Sequence, residues 1–205
     1  MTEQNPASIG AVAGDTATRD LTATPGQTVG PFYGYALPFP GDSELVPAGS
    51  AGAVQLHGVV YDGAGVPVPD SLLEIWQPDE SGTISRATGS LRRDGFTFTG
   101  FGRAAVDPEG RFSFSTLNPG PTEAGKPAFI SVVIFARGLL NRLFTRIYLP
   151  EDTEALAADP FLASLGPAER DRLIATREAD GSLRFDIRLQ GEDETPFLRF
   201  PGHGD

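Results

Sequence analysis

Residues 55–77 read Q-L-H-G-V-V-Y-D-G-A-G-V-P-V-P-D-S-L-L-E-I-W-Q and contain two β-type runs around a turn. The first run ends at Tyr61, and the Asp-Gly-Ala-Gly that follows it at 62–65 is typical of a turn. The second run, from Leu72 to Trp76, is rich in aliphatic and aromatic side chains. The stretch therefore predicts two strands of a β-sheet.

The rest of the chain repeats this strand pattern. Residues 111–117 alternate apolar and polar side chains, which predicts a strand with one buried face. Residues 129–135 are almost continuously apolar or β-branched, as expected for a strand that is covered on both faces. Further strand candidates lie at 143–149, 183–189 and 196–200. Because 25 Gly and 18 Pro are spread without a period, we expect an all-β sandwich with loop insertions.

One short region of the sequence is predicted to be helical. Its first piece runs from Glu154 to Ala158 and is ended by Asp159-Pro160. Its second piece has a proline in the first turn, an acidic residue near its start and apolar residues further on. These signals predict a helix over residues 167–177.

The chain divides into three parts by composition. Residues 1–23 are small and polar and predict a flexible N-terminal arm. Residues 24–53 are rich in Pro and Gly, which makes helix improbable over 24–33 and favours an extended, turn-rich segment. Residues 54–205 carry the predicted strands as one domain, because no repeat or second boundary interrupts them.

The charge and the cysteine content exclude several classes of function. Acidic side chains outnumber basic ones by 27 to 16 in the 205 residues, so the formal charge is −11. A nucleic-acid partner is disfavoured because phosphates need a basic patch, and an anionic substrate would need a locally built site. The chain has no cysteine, which excludes disulfides and cysteine metal sites. It has neither a secretory signal nor an apolar run of roughly 18 residues, so the expected location is the cytoplasm.

Three separated stretches carry a pattern of motifs. T-P-G-Q-T-V-G-P-F-Y occupies 24–33, and G-V-V-Y-D-G-A-G-V-P-V-P-D-S-L-L-E-I-W-Q occupies 58–77. The third stretch begins with F-G-R at 101–103 and D-P-E-G-R-F-S-F at 107–114, and it continues to R-F-D-I-R-L-Q-G-E at 184–192. In this order the motifs resemble those of the intradiol ring-cleavage dioxygenases, over nearly the whole chain after residue 23.

This resemblance implies an intradiol dioxygenase-like β-sandwich and a family chemistry based on Fe(III). In that family two tyrosinates and two histidines hold the ferric ion, and O₂ cleaves the aromatic ring. The histidines come from a strand that reads R-P-A-H-I-H, whereas the matching residues 126–131 here read K-P-A-F-I-S. Position by position, the family's ligands are replaced by Ile84, Thr122, Phe129 and Ser131. The resemblance therefore predicts a chain that binds no metal itself.

The stretch F-A-R-G at 135–138 resembles the iron-free subunits of the family. Such subunits pair with a homologous iron-bearing beta subunit in an αβ hetero-oligomer, and both chains line one substrate pocket. The resemblance implies that this chain supports cleavage of 3,4-dihydroxybenzoate by O₂ to 3-carboxy-cis,cis-muconate, with Fe(III) held by the partner. It also predicts that residues 24–53 contact that partner. No catalytic residue is expected in this chain.

Four residues are predicted to line the partner's substrate pocket, namely Thr28, Gly30, Pro31 and Arg137. A guanidinium suits the carboxylate or catecholate oxygens of an aromatic acid, directly or through water. The simpler alternative for Arg137 is a solvated strand end or a structural ion pair. For the three arm residues the alternative is an ordered turn that is clamped on the sandwich.

Other polar and aromatic residues have plainer interpretations. Trp76 is expected to be a core or interface aromatic, and His57 a strand histidine with a local hydrogen bond. Arg103 and Arg146 are expected to pair with carboxylates of the same chain. Phe129 is expected to fill the vacated metal cavity with apolar volume.

Two other functions compete with the iron-free subunit. An active homomeric dioxygenase with unrecognised ligands is almost excluded, because the chain has only His57 and His203 and no His-x-His pair. A binding module without enzymatic role is the other alternative, since the pattern at 58–76 also resembles transthyretin-like sandwiches. The match through the C-terminal strands argues against that module.

Overall fold

Runs of branched and aromatic residues fold into nine strands in a computed structural model that describes residues 28–86 and 93–200. The strands are β1 (Ala53–Tyr61), β2 (Leu72–Trp76), β3 (Phe101–Ala105), β4 (Arg111–Leu117), β5 (Phe129–Phe135), β6 (Leu143–Tyr148), β7 (Thr176–Arg177), β8 (Leu183–Arg184) and β9 (Ile187–Arg188). Four short helices are α1 (Tyr33–Ala36), α2 (Thr153–Ala158), α3 (Pro160–Ala163) and α4 (Pro167–Asp171). The predicted all-β sandwich is confirmed, and α2, α3 and α4 lie in the predicted helical region, whereas α1 lies outside it. The predicted arm at 1–23 lies outside the described residues.

The first sheet is built around β1, in the order β4-β1-β8-β7, with β9 also paired to β1. β4 runs antiparallel to β1, whereas β8 and β9 run parallel to it. The prediction of a single strand over 183–189 is therefore wrong, because two short strands, β8 and β9, occupy this range. A carboxylate oxygen of Asp186 accepts the hydrogen bond of the Val59 N–H at 3.0 Å and interrupts the backbone ladder there. Gly58 is required at this break, because a Cβ would lie 1.8 Å from the Phe185 carbonyl oxygen.

The second sheet has the order β3-β2-β5-β6, and all its neighbours are antiparallel. β5 lies between β2 and β6, as its continuous apolar sequence predicts. Its inward residues Ile130, Val132 and Ile134 are buried in the core, and its outward residues are half-buried. The outward face of β5 is the one that carries Phe129 and Ser131.

β3 is a strand that the pattern analysis did not predict. Its sequence F-G-R-A-A holds a glycine and two alanines, which are poor strand formers by propensity. Gly102 is nevertheless needed, because a Cβ at this position would lie 2.4 Å from Leu45 Cδ1. The strand thus depends on a close approach by Leu45, which lies in the segment before β1.

Apolar side chains from both sheets fill the space between them. Leu56, Ile75, Phe114 and Ile147 are fully buried members of this main core, which Leu45 joins from the preceding segment. A smaller cluster of Tyr148, Leu156, Leu162 and Leu173 attaches the helical region to β6. The described part of residues 24–53 therefore packs on its own sandwich as well.

Three predicted elements differ in detail from the structure. The helix predicted over 167–177 ends at Asp171, because the backbone of residues 173–175 turns to bond Tyr148 instead. The strand predicted at 196–200 is irregular and is held beside β6 by a Leu198–Phe144 backbone bond of 2.7 Å. α1 begins at Tyr33, at the end of the stretch 24–33 where helix was disfavoured. In the described parts of the chain, none of the helices is long and apolar enough to cross a membrane.

Candidate functional site

The two vacated histidine positions lie on the outward face of the second sheet. Ser131 stands directly opposite Trp76 of β2 on one side and Arg146 of β6 on the other. Phe129, two residues earlier on the same face, stands opposite Tyr148. The strand register therefore brings Phe129, Ser131 and Arg146 to one place.

Phe129 packs into the smaller cluster, as an apolar filler should. Its ring centroid is 5.6 Å from that of Tyr148, and it contacts the cluster that anchors the helical region. The guanidinium carbon of Arg146 lies 4.3 Å from the Phe129 centroid and 5.5 Å from the Phe161 centroid. Phe129 is therefore a packed ring with a cation stacked on it, and its role as the filler of a former metal cavity stays a prediction.

Arg146 does not form the carboxylate pair that was expected of it in the described part of the chain. Its Nη1 donates to the Tyr148 hydroxyl at 3.1 Å, and its flat guanidinium stacks on the rings of Phe129 and Phe161. The expectation was wrong because α3 carries Phe161 over the outward face, so that rings surround the cation. Arg103, by contrast, pairs with Glu74 at 2.5 Å, which confirms the expectation for that residue.

Tyr148 is fully buried and remains a neutral phenol. Burial raises the pKa of Tyr148, while the hydrogen bond from Arg146 acts in the lowering direction. Its hydroxyl accepts a hydrogen bond from Arg146, and its backbone bonds Leu173 and Ala175. Tyr148 therefore organises the filled position and offers no phenolate to a metal.

The other two vacated positions lie in loops beside the same end of the sheet. Ile84 is 63% exposed, and Thr122 is exposed in the loop that leads to β5. The two loops are joined, because the Gly120 N–H donates to the Asp79 carbonyl at 2.8 Å. Within the described ranges, no group of three or more His, Cys, Asp or Glu side chains is arranged to hold a metal ion.

Arg137 lies beyond the opposite end of β5. Its side chain is 69% exposed, and its Nε is 2.7 Å from Oδ2 of Asp70. The hydroxyl of Tyr33 donates to the backbone carbonyl of Asp70. Burial raises the pKa of Tyr33, and the neighbouring Asp70 carboxylate raises it further. An exposed cation and a neutral phenol therefore meet at Asp70.

The N-terminal segment reaches this same end of the sheet. A cavity of about 170 Å³ is lined by Pro31, Tyr33, Asp70, Ser71 and Arg137, among others. The structure therefore brings two of the predicted pocket residues, Pro31 and Arg137, together. Ser71 Oγ is buried and has no hydrogen-bond partner among the described residues.

Thr28 and Gly30 are the sequence neighbours of Val29, which lines a second cavity. Val29, between them, lines a cavity of about 300 Å³ with Phe135, Leu140 and Arg142. Gly30 has a φ of +84°, a conformation that glycine adopts readily and that turns the chain between the two cavities. Thr28 is exposed at the start of the described segment. Their role in a substrate pocket stays a prediction.

The residues with plainer interpretations fall elsewhere. His57 is on β1, where its Nε2 lies 3.1 Å from Oε2 of Glu178 and 3.3 Å from Oγ of Ser182. It is thus a strand histidine, although its partners are distant in sequence. Trp76 is 47% exposed and its ring is 4.5 Å from that of Phe101, so it is not a core residue. His203 lies outside the described residues.

Comparison with known proteins identifies the family. A sequence profile described as a dioxygenase matches residues 30–191. The alpha chain of protocatechuate 3,4-dioxygenase from Burkholderia cepacia is 38% identical over 195 residues, which are 87% of this chain and 98% of that protein. The chain belongs to the intradiol dioxygenase family. The beta chain from the same organism is 35% identical over 163 residues, which are 71% of this chain and 68% of that protein.

A solved structure of a dioxygenase domain has a similar fold. It is the dioxygenase domain of a dioxygenase–carbohydrate-binding protein fusion from Streptomyces sp. SirexAA-E. The TM-score is 0.51 and the identity 25%, over 83% of this chain and 99% of that chain. The β-sandwich is thus a fold that this chain shares with a solved dioxygenase domain.

The ferric ion implied by the family does not fit the residues of this chain. An aliphatic side chain stands at Ile84, an aromatic ring at Phe129, and neutral hydroxyls at Thr122 and Ser131. Neutral hydroxyls and apolar groups are poor ligands beside phenolate and imidazole. The guanidinium of Arg146 stacked on Phe129 adds a positive charge to the same place. No chemistry at iron is therefore assigned to this chain.

Two residues of the Arg137 end were missed by sequence reasoning. Asp70 lies in the turn V-P-D-S before β2, where an aspartate is more often a turn former than a partner for a distant arginine. Tyr33 ends the motif at 24–33, so its position in that motif was a signal that could have been used. Nothing in the local sequence of Asp70 predicts its contact with Arg137.

Proposed function

We propose that this chain is the iron-free alpha subunit of a protocatechuate 3,4-dioxygenase. It would complete the substrate pocket of a homologous beta subunit that holds Fe(III). The assembly would cleave 3,4-dihydroxybenzoate with O₂ to 3-carboxy-cis,cis-muconate. Thr28, Gly30, Pro31 and Arg137 would be this chain's contribution to that pocket.

The observation that carries the proposal is the match to an alpha chain along almost its whole length. The match covers 98% of the Burkholderia cepacia alpha chain but 68% of the beta chain. The four metal-ligand positions are replaced together, which supports the same assignment. A chain of this family that lacks the metal-ligating side chains can still contribute to catalysis when another chain holds the metal.

The position of Arg137 supports a role in a partner's pocket. β5 separates Phe129 from the Arg137 end by seven residues, or about 20 Å of extended chain. Arg137 is therefore too far away to reach a substrate at this chain's own vacated metal position. An active site that uses Arg137 must belong to another chain.

The chemistry of the Arg137 end suits an aromatic acid. A guanidinium has five N–H donors in a flat fork, and the contact with Asp70 uses its Nε edge. A carboxylate ligand can be bound by the remaining donors. Because the molecule as a whole is negative, this local cation is needed to attract an anionic substrate. Pro31, Tyr33 and Arg137 line one cavity, and this surface would form the wall of such a pocket.

The test is to prepare the full chain alone and together with a beta chain of the family. We expect iron and the red tyrosinate–Fe(III) absorbance only in the complex, together with ring cleavage of 3,4-dihydroxybenzoate. One tightly held iron per isolated chain would overturn the proposal in favour of a self-sufficient enzyme. A stable monomer that ignores every beta chain offered would favour a binding module without enzymatic role.

A further inference from the structure

The vacated metal position of this chain holds a cation of its own. Arg146 faces the same side of the sheet as Phe129 and Ser131, and its guanidinium carbon lies 4.3 Å from the Phe129 ring centroid. We propose that this guanidinium takes the place of the metal's positive charge and closes the position to any cation. The loss of iron then has two independent causes, the missing ligands and the added charge.

The distances make this charge effective. An imidazole in place of the Phe129 ring would hold a metal ion about 2 Å from its nitrogen. With the guanidinium stacked on the face of that ring, the two cations would be about 5 Å apart. That separation is below the Debye length of about 8 Å at physiological salt, so ions in solution screen the repulsion little.

The surroundings of Arg146 keep it both charged and in place. A guanidinium carries a positive charge that is spread over a flat group, which suits stacking on aromatic faces. The rings of Phe129 and Phe161 hold its faces, and the Tyr148 hydroxyl holds Nη1. Within the described residues no carboxylate lies within 4 Å of the guanidinium, and the buried Asp159 carboxylate acts on the neighbouring Tyr148. The positive charge is therefore available to repel another cation.

The same contacts also give Arg146 a structural role. Its stem belongs to β6, its guanidinium covers Phe129 at the start of β5, and Phe161 on α3 lies on its other side. One side chain thus connects two strands and the helical region. Arg146, Phe129 and Phe161 all belong to this chain, so the repulsion of a metal ion does not depend on the proposed partner.

The test restores a His-x-His pair and varies the charge beside it. The full-length chain carrying Phe129→His and Ser131→His is made in four backgrounds: Arg146 unchanged, Arg146→Lys, Arg146→Met and Arg146→Gln. Cu²⁺ is the probe, because two imidazoles bind it strongly. Binding is measured by calorimetry against the unmutated chain, and nitrogen coordination by electron paramagnetic resonance. Circular dichroism checks that each variant is folded.

We expect Cu²⁺ to bind through two nitrogens in the Arg146→Met and Arg146→Gln backgrounds. With Arg146 or Arg146→Lys, the dissociation constant should be weaker by about a hundredfold or more. Equal affinity in the charged and neutral backgrounds would overturn the proposal. Absence of nitrogen coordination in both neutral backgrounds would overturn it as well, since charge would then not be the barrier. Strong binding in the Arg146→Lys background would also contradict it, because lysine retains the charge.

Discussion

Replacing Arg137 by alanine tests the role of this chain in catalysis most directly. The side chain is 69% exposed and pairs with Asp70 at 2.7 Å. Exposed ion pairs contribute about 0.2–1 kcal/mol to stability, so the Arg137→Ala chain should fold and assemble normally. Any large effect on activity would therefore come from a contact that forms in the assembled pocket.

The expected size of that effect follows from the type of contact. Hydrogen bonds to a charged group contribute about 1.5–3 kcal/mol, which corresponds to roughly a 10- to 150-fold loss in kcat/KM if the contact is made in the transition state. Catechol lacks the carboxylate that the guanidinium would bind, so its turnover should fall less. The difference between the two substrates measures the carboxylate contact itself.

The assay is ring cleavage by the αβ complex, followed by absorbance, with iron content measured on the same sample. We expect full iron, normal assembly and a selective loss toward 3,4-dihydroxybenzoate. Arg142→Ala is the matched control, because it removes the same charge from the same end of the sheet but lines the neighbouring cavity. It also contacts the Phe144 ring, so its folding is checked in parallel.

Three results would refute the reasoning in different ways. An equal loss for both substrates would assign Arg137 to the pocket's shape or to the ring oxygens. An equal loss in the Arg142→Ala control would show that the overall field of the protein, and not a local contact, attracts the substrate. No loss for either substrate would return Arg137 to a structural ion pair with Asp70.

Three further outcomes test how the fold is built. Phe129→Ala should lower the free energy of unfolding by about 2 kcal/mol, because a half-buried ring is lost, and Phe129→Leu by less than half of that; an unchanged urea midpoint would contradict the packing of this ring. Gly58→Ala should cost about 2 kcal/mol or more, since its Cβ would collide with a backbone carbonyl, whereas Gly34→Ala meets open space and should be nearly neutral in the same melts. The N–H and hydroxyl of Thr97 lower the pKa of Asp94 to about 2. Because the folded pKa lies below the unfolded value of about 3.9, the ionised Asp94 stabilises the fold above about pH 4, and this stabilisation is lost toward pH 2. Thr97→Val should raise the pKa of Asp94 in an NMR titration.

The strands that were predicted correctly share one property: their sequences alternate apolar and polar residues or are continuously apolar. β4 alternates and β5 is continuous, and both are where the pattern placed them. β3 was not predicted because its packing depends on Gly102, which has no side chain and so leaves room for Leu45. From sequence alone, a glycine at such a position indicates an interruption of the strand, because the side chain that packs against it is not visible.

The errors at the C-terminal part have a different physical cause, which is competition from distant backbone groups. Residues 173–175 have helical composition, yet they bond the backbone of Tyr148, which precedes them by about 25 positions. The break between β8 and β9 comes from one Asp186 oxygen that bonds Val59 across the sheet. Local sequence does not contain such long-range partners, so no periodicity could have shown them.

The candidate site shows the same limit for charged residues. The positions that lost the metal ligands could be found by motif, because each is a change of residue type at a known spacing. The partner of Arg146 could not be found in that way, since the general expectation for a half-buried arginine is a carboxylate. Here a helix after β6 places Phe161 against the cation, and the arginine is held by rings.

β5 connects the two halves of this interpretation. At its start the Arg146 guanidinium lies against the ring of Phe129, a residue predicted to replace one of the family's iron ligands, and about 20 Å away beyond its other end Arg137 is exposed beside Pro31. A chain that merely lost its metal would need only the first change, because a filled cavity is enough for stability. The exposed guanidinium at the far end confers no comparable stability, so a contact outside this chain is the economical reason for its presence. On the proposed function, the strand separates the predicted metal position, filled by side chains of this chain, from an exposed arginine that a partner would contact.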